Sequence, residues 1–129
     1  MPDLPAIHGE LQTQIMSTMW RLGSGTVDEV RDALPHRYRG AYTTIQTVLN
    51  RLADRGLLSR ERQGRSYTYT PTLSESDYLS RSITHVLAGT SAAVRQTVLA
   101  QLYGQLDSSD LSELAALADR VAAKRKQRK

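Results

Sequence analysis

The chain of 129 residues contains no cysteine. It can therefore form no disulfide framework and offers no thiolate as a metal ligand or nucleophile, a composition that fits a reducing compartment. No apolar run approaches the roughly 18 residues of a membrane-spanning helix. The segment MPDLPAIHGE lacks the basic stretch and the apolar stretch of a secretion signal. These absences predict a cytoplasmic protein without membrane insertion.

The motifs that commonly mark catalytic or cofactor sites are also absent. The sequence has no GxSxG, no GxGxxG and no GxxxxGK[ST] phosphate loop. The histidines His8, His36 and His85 lie far apart and do not have the spacing of metal ligands, as in HExxH. We therefore expect no enzyme, no cofactor and no metal site.

The basic residues are concentrated in two parts of the chain. The formal net charge is +4, but residues 36–73 carry seven arginines against Asp54 and Glu61, and the segments on either side are net acidic. A basic segment within a folded domain is expected of a surface that binds nucleic acid. Residues 119–129 are basic again. This tail, ending in KRKQRK, is either a solvated helix end or a source of non-specific phosphate contacts.

Residues 42–55 have the periodicity of an amphipathic helix. Ile45, Val48, Leu49 and Leu52 recur at i, i+3, i+4, i+7 and form one apolar stripe. The other face is polar. Its hydroxyl and guanidinium groups are suited to base edges and phosphates, and an ordinary solvated helix face is the alternative interpretation. The residues that point away from the stripe or flank it are Thr43, Thr44, Gln46, Thr47, Asn50, Arg51 and Asp54.

A basic β-hairpin is predicted directly after this helix, over residues 57–70. Gly56 suits the position that follows a helix, where a positive φ is needed, and Pro71 ends the second strand. The segment before Pro71 alternates as a strand does. We expect Tyr67 and Tyr69 to pack the hairpin against the helix rather than to stack on bases.

The turn of this hairpin is predicted at Gln63 and Gly64, because a glycine favours a two-residue turn. This register places Arg62 and Arg65 directly opposite each other. Like charges that face each other repel, so an anion beside the pair would explain them. Two side chains that splay into water are the alternative.

Two further helices precede this segment. The first is predicted over residues 9–22, with Trp20 as a core anchor rather than a ligand platform. Thr26, with a glutamate three residues later, begins a second helix by a capping box, and Pro35 ends it. Three helices followed by a hairpin predict a winged helix-turn-helix DNA-binding domain over residues 1–73.

Residues 74–129 are predicted as a helical dimerisation region with a basic C-terminal tail. Three amphipathic helices begin near Ser74, near Ser91, and at Ser108 or Ser109, and the chain as a whole is mainly α with a small hairpin wing. Three short helices with aliphatic faces and no aromatic core bury too little apolar surface for an independent domain. A second copy would therefore cover these faces. A monomer whose helices fold back on the winged domain is the alternative. The predicted dimer contacts are Leu79, Ile83, Val86, Leu87, Val94, Val98, Leu99, Leu102, Leu111, Leu114, Leu117 and Val121.

The polar helix face and the basic hairpin together predict a dimeric transcriptional regulator, most simply a repressor. It would bind double-stranded DNA at a palindromic operator through helix 42–55 and wing 57–70. The rival interpretation is a protein-interaction winged helix that docks a partner through the same surface without specific DNA binding. The predicted DNA contacts are Arg37, Arg39, Thr43, Thr44, Gln46, Thr47, Arg51, Arg60, Arg62 and Arg65.

The run YTTIQTVLNRLADRGLLSRERQGRSYTYTP, with LQTQIMSTMWRLGSGTVDEVRDALP upstream, resembles the penicillinase-repressor (BlaI/MecI-type) family. The likeness is strongest from Glu10 to Pro71. It implies a homodimeric repressor of operators with inverted half-sites, with the third helix in the major groove and the wing on the backbone. By matching positions, the resemblance assigns operator contacts to Thr43, Thr44, Gln46, Thr47 and Arg51 on the helix, and to Arg62 and Arg65 on the wing.

The switches of the family cannot simply be transferred to this chain. Antibiotic-responsive members are inactivated by cleavage of an Asn-Phe bond, whereas this chain has no phenylalanine and has Leu99-Ala100 near the aligned position. Copper-responsive members use paired cysteines near the C-terminus, which are absent here. A membrane sensor protease would therefore have to inactivate this protein by cleaving another bond.

Overall fold

The computed structural model describes residues 7–127 and shows a mainly helical chain with one β-hairpin. The first six residues and the last two, Arg128 and Lys129 of the predicted basic tail, lie outside the described residues. The chain divides between Val86 and Leu87 into two compact units. The elements are α1 (Gly9–Leu22), α2 (Val27–Ala33), a 3-10 turn (His36–Tyr38), α3 (Tyr42–Asp54), β1 (Leu58–Gln63), β2 (Ser66–Pro71), α4 (Glu75–Ala88), α5 (Ala92–Gly104) and α6 (Ser108–Gln127).

The core of the first unit is formed by α1, α2, α3 and the hairpin. The apolar stripe of α3 is buried, and Ile45, Leu49 and Leu52 have no exposed surface. Burial of side chains of this size contributes on the order of 1.5–3 kcal/mol each. The predicted winged helix-turn-helix architecture is confirmed. The buried hydrophobic residues are Ile15, Met16, Met19, Val27, Val30, Leu34, Ile45, Val48, Leu49, Leu52, Leu57, Leu58 and Tyr69.

The ends of α2 are set by local sequence signals. Thr26 Oγ1 accepts a hydrogen bond from the Glu29 amide at 3.2 Å, and Glu29 Oε1 accepts one from the Thr26 amide at 3.0 Å. This is the predicted capping box. Leu34 has an extended ψ of 147°, since the residue before a proline avoids the helical region, and α2 ends before Pro35.

The end of α3 turns the chain directly into the hairpin. Gly56 has a φ of +84°, which costs least for glycine. Its amide donates to the Ala53 carbonyl, and the Leu57 amide donates to the Leu52 carbonyl, each at 3.0 Å. This double hydrogen bond is the Schellman arrangement, and it satisfies carbonyls that the helix end would otherwise leave unpaired. β1 therefore begins four residues after the last residue of α3, as the sequence predicts.

The register of the hairpin differs from the predicted one. Gln63 pairs with Ser66, so the two turn residues are Gly64 and Arg65 rather than Gln63 and Gly64. Gly64 has a φ of +64° at the first turn position, where a two-residue turn with a single leading glycine needs it. Arg62 pairs with Tyr67, and the prediction that Arg62 faces Arg65 is wrong.

A backbone bridge joins the hairpin to the segment before α2. The Gly25 amide donates to the Tyr69 carbonyl at 3.0 Å, and the Tyr69 amide donates to the Gly25 carbonyl at 2.8 Å. Two hydrogen bonds between such distant residues hold β2 against the helical body. The sequence patterns did not predict that the backbone at Gly25 would pair with β2 in the manner of a third strand.

The first turns of α4 pack on the winged unit. Trp20 Nε1 donates to the Leu73 carbonyl at 2.9 Å, and the ring centroids of Trp20 and Tyr78 lie 5.6 Å apart. The Tyr78 hydroxyl also accepts a hydrogen bond from the Ile7 amide at 3.0 Å. Trp20 is therefore a packing residue, as predicted. The boundary between residues 73 and 74 stays a prediction, and the first compact unit continues along α4 to Val86.

The second unit contains the last turn of α4 with α5 and α6. Ser91 caps α5 by accepting from the Val94 amide at 3.3 Å. α6 is capped by Asp107, whose carboxylate accepts from the Asp110 amide at 2.8 Å, so the predicted cap at Ser108 or Ser109 is wrong. A carboxylate also favours the positive end of the helix dipole.

The apolar residues of α4, α5 and α6 have little cover within one chain. No described residue after Tyr69 is buried. Val86, for example, keeps 67% of its surface exposed. Half-buried among the predicted dimer contacts are Leu87, Val98, Leu111 and Leu114, and exposed are Leu79, Ile83, Val86, Val94, Leu99, Leu102, Leu117 and Val121.

The capping box of α2 yields a stability prediction. Thr26→Ala removes the acceptor of the Glu29 amide and should lower the free energy of unfolding by about 1 kcal/mol in urea titrations. Ser24→Ala, which removes a hydroxyl from the neighbouring exposed loop, serves as the control and should change it by less than about 0.5 kcal/mol. Equal effects of the two substitutions would contradict the structural role of the box.

Candidate nucleic-acid interface

The burial of the α3 stripe fixes which side chains point outward. Because Ile45, Leu49 and Leu52 are enclosed by the core, the helix cannot rotate without exposing them. The predicted contact residues of α3 therefore lie together on its open face. Exposed on this face are Thr43, Thr44, Thr47 and Arg51, and Gln46 is half-buried at its edge.

Thr47 is partly committed to its own helix. Its hydroxyl donates to the Thr43 carbonyl at 2.8 Å, one turn earlier. A hydroxyl has a single proton to donate, so Thr47 presents its oxygen lone pairs and its methyl group to the outside. These groups suit a base amino group or a thymine methyl.

The N-terminus of α3 carries no side-chain cap and no acidic residue. Ala41 occupies the N-cap position, where its methyl group accepts no hydrogen bond. The first amides of α3 thus keep their positive partial charge without an internal counter-charge. This end of the helix is electrostatically compatible with a phosphate.

Two arginines lie at the tip of the hairpin. Arg65 occupies the turn itself, and Arg62 Nε donates to the Gly64 carbonyl at 3.1 Å. Both side chains are exposed. The tip of the wing is therefore cationic, although the two arginines are not cross-strand neighbours.

A small cleft of about 140 Å³ lies between the wing and the helices. It brings together Gln46 of α3 and Arg65 of the turn, both predicted contact residues. Tyr42, Tyr67 and Asp28 contribute further polar atoms to its walls. The edge of the α3 face and the wing tip thus border the same cleft.

Arg39 has a role that the sequence did not predict. Its guanidinium donates to three backbone carbonyls near the end of α2, those of Arg31, Asp32 and Leu34, at 2.8–3.1 Å. Arg31 Nε in turn donates to the Gly40 carbonyl at 2.7 Å. Arg39 therefore stabilises the connection between α2 and α3, and its phosphate contact stays a prediction.

Arg37 lies beside a carboxylate at the start of α1. Its Nη2 is 3.8 Å from Glu10 Oε1, and its guanidinium carbon is 4.9 Å from the centroid of the Tyr38 ring. The Tyr38 hydroxyl donates to Glu10, and this hydrogen bond raises the pKa of the Tyr38 phenol. Arg37 is largely exposed, but Glu10 offsets part of its charge.

Arg60, one of the predicted DNA contacts, binds side chains of α3. Its Nη1 donates to Asn50 Oδ1 at 3.0 Å, and its Nη2 lies 3.4 Å from Asp54 Oδ1. Asn50 Oδ1 also accepts from the hydroxyl of the buried Tyr69 at 2.7 Å. Burial raises the pKa of this phenol, which keeps it protonated and able to donate.

The structural role of Asn50 was not predicted from the sequence. Periodicity assigned Asn50 and Asp54 to the outward face of α3, yet both bind Arg60 of the wing. One signal could have indicated this contact. A tyrosine predicted to pack on the helix, as Tyr69 was, needs a hydrogen-bond partner for its hydroxyl, and Asn50 lies on that helix.

The groups assembled on this surface donate and accept hydrogen bonds and carry positive charge. Among residues 7–127, no group of three or more His, Asp or Glu side chains is arranged to hold a metal ion. Within the same range, no helix has both the length and the apolarity needed to cross a membrane. The arrangement is suited to reversible polar binding.

Comparison with known proteins identifies the family. The model of the penicillinase repressor family matches residues 8–120. The penicillinase repressor of Bacillus licheniformis is 34% identical over 79 residues, which are 61% of this chain and 61% of that protein. The transcriptional regulator BlaI of Mycobacterium tuberculosis is 31% identical over 114 residues, 86% of this chain and 83% of that protein.

A solved structure is similar to part of the chain. It is the monomeric form of Bacillus licheniformis BlaI in complex with the blaP half-operator, at 33% identity and a TM-score of 0.48. The match covers 59% of this chain and 92% of that one. Since the family match spans most of the sequence, this chain belongs to the penicillinase repressor family and is a DNA-binding transcriptional repressor, not an enzyme.

Proposed function

We propose that the protein represses transcription by binding a palindromic operator as a homodimer, with α3 in the major groove and the hairpin wing on the backbone. The observation that carries this proposal is that the exposed polar face of α3 and the cationic wing tip at Arg62 and Arg65 lie beside one cleft, lined by Gln46 and Arg65. A helix of this diameter fits the major groove. The relative from Bacillus licheniformis was solved with a half-operator.

The contacts divide into two classes. Thr44 and Thr47 contact base edges, and Arg51 contacts a base or a phosphate, with Thr43 and Gln46 beside them. The second class gives affinity without sequence preference, because phosphates are alike along the duplex. We assign Arg37, Arg39, Arg60, Arg62 and Arg65 mainly to phosphates, and all five are exposed.

The proposed dimer is supported by the apolar surface of α4, α5 and α6. Leu79, Ile83 and Val86 follow one side of α4 and are 51–67% exposed. An apolar surface of this kind in a soluble chain indicates a protein interface. A two-fold pair places two copies of α3 about 34 Å apart, one turn of DNA, on inverted half-sites.

The site of action and the inactivator follow from the same proposal. A protein that binds operator DNA acts where the chromosome lies, so we propose a cytoplasmic location. We keep a membrane sensor protease as the candidate inactivator, with a cleavage site other than an Asn-Phe bond, since the chain has no phenylalanine. Near the aligned position, Leu99 lies within α5, so cleavage there requires local unfolding of the helix.

Substitutions in the two contact classes should have different effects. Arg62→Ala should weaken binding to operator and random duplex alike and reduce the slope of log K against log salt by about 0.9. Thr47→Ala should change the preference among operator sequences by about 1–3 kcal/mol. Both are measured by gel-shift titration at two or more salt concentrations. Arg95→Ala on α5 removes the same charge elsewhere and serves as the control.

If Arg62→Ala and Thr47→Ala bound every duplex as the parent does, operator binding by this surface would be refuted. A protein-interaction adaptor would show no steep salt-dependent affinity for DNA. That result would favour the rival interpretation.

The dimer can be tested by analytical ultracentrifugation. The parent should sediment as a dimer at micromolar concentration. Val86→Glu should shift it to monomer, because a charge would be buried in an apolar interface without a partner. Thr84→Glu, on a different side of the same helix, should leave the dimer intact. A parent that is monomeric both alone and on DNA would disprove the dimer.

A further inference from the structure

We propose that Asn50 is a positioning residue that sets the angle of the wing against α3, with Tyr69 and Arg60 as its two donors. The inference rests on the proposed function, because the wing must contact DNA for its angle to matter. It gives Arg60 a second task besides its proposed phosphate contact. Asn50 and Tyr69 belong to neither class of proposed DNA contacts.

One oxygen atom of α3 binds both strands of the wing. Asn50 Oδ1 accepts from the Tyr69 hydroxyl at 2.7 Å and from Arg60 Nη1 at 3.0 Å. Both lone pairs of the amide oxygen are thereby used. Tyr69 belongs to β2 and Arg60 to β1, and the two residues are direct partners in the hairpin register. The contact therefore holds one rung of the wing at a single point of α3.

Each donor is itself held in place. Tyr69 is fully buried and bonded through its backbone to Gly25, so it neither moves freely nor reaches DNA. Arg60 also lies 3.4 Å from Asp54 Oδ1, and its guanidinium carbon is 5.8 Å from the centroid of the Tyr67 ring. The ion pair between Arg60 and Asp54 is solvent-exposed and adds little stability. The planar guanidinium group of Arg60 nevertheless fixes the direction of that side chain.

The wing needs such a fixed point because a two-stranded hairpin is only marginally stable by itself. The turn at Gly64 and Arg65 lies four to five residues beyond the rung of Arg60 and Tyr69. At about 3.4 Å per residue, the tip is about 15 Å from that rung. A tilt of about 10° would thus move the tip by about 2–3 Å, which exceeds the distance range of a hydrogen bond.

The consequence is that the tip arginines are oriented before DNA arrives. A wing held at one angle does not lose that freedom on binding, and preorganisation of this kind raises affinity. Arg62 and Arg65 contact phosphates, and Asn50, Tyr69 and Arg60 determine where those contacts fall. Asn50 and Tyr69 thus orient DNA contacts that they do not make themselves.

The test uses Tyr69→Phe and Asn50→Ala in the full chain, with operator titrations over a range of salt. Tyr69→Phe removes only the hydroxyl, and Tyr103→Phe on α5 is the matched control. Tyr69→Phe and Asn50→Ala should each lower the slope of log K against log salt by about 0.9 to 1.8, because one or two phosphate contacts are lost. Affinity at 0.15 M salt should fall about five- to thirtyfold. Discrimination against a single-base operator change should stay within about twofold.

A second arm repeats Tyr69→Phe in a chain that already carries Arg62→Ala and Arg65→Ala. There it should have no further effect, because the contacts that it misplaces are gone. A purely structural role would lower the folded fraction and leave the salt slope unchanged, and thermal melting reports that fraction. If Tyr69→Phe does not fold, Asn50→Ala carries the test, since Asn50 is only half-buried.

The outcomes separate this inference from the proposed function. If the parent and Arg62→Ala behave as expected while Tyr69→Phe and Asn50→Ala keep the parental slope, the positioning role alone is overturned. It is also overturned if Asn50→Ala loses base discrimination at an unchanged slope, or if the effects of Tyr69→Phe and the arginine variants add. A parent without salt-sensitive DNA binding overturns both the inference and the function.

Discussion

The burial of the apolar stripe of α3 is the constraint on which the other features depend. Ile45, Leu49 and Leu52 are enclosed on all sides, which fixes the rotation of the helix about its axis. That rotation presents the threonines and Arg51 to the outside, and it aims Asn50 at the wing. One packing event in the core thus determines both the surface proposed to contact DNA and the support of the hairpin beside it.

The two compact units differ in how they use apolar residues. In the first, α1, α2, α3 and the hairpin bury one another, and every buried side chain of the described chain lies at or before Tyr69. In the second, the aliphatic faces of α5 and α6 have no comparable enclosure within the chain. The DNA-binding unit has its own core, whereas the C-terminal helices would acquire one through association in the proposed dimer.

Much of the fold could be predicted because its signals are local. Periodicity predicted α1 and α3, and the capping box of Thr26 and Glu29 predicted the start of α2. The errors arose where two local signals competed or where a partner was distant. Gly64 suits either position of a two-residue turn, so the predicted turn lies one residue before the observed one. The roles of Arg39 and Asn50 depend on carbonyl and hydroxyl groups that only the folded chain brings near them.

The packing of Trp20 has a practical consequence. This indole is the only one in the chain, and it packs at a tilt against Tyr78 of α4 while it donates to the Leu73 carbonyl. Both contacts lie where the winged unit continues into α4. The emission spectrum of the unlabelled protein therefore reports on this junction, and it shifts to longer wavelength if α4 detaches and water reaches the ring.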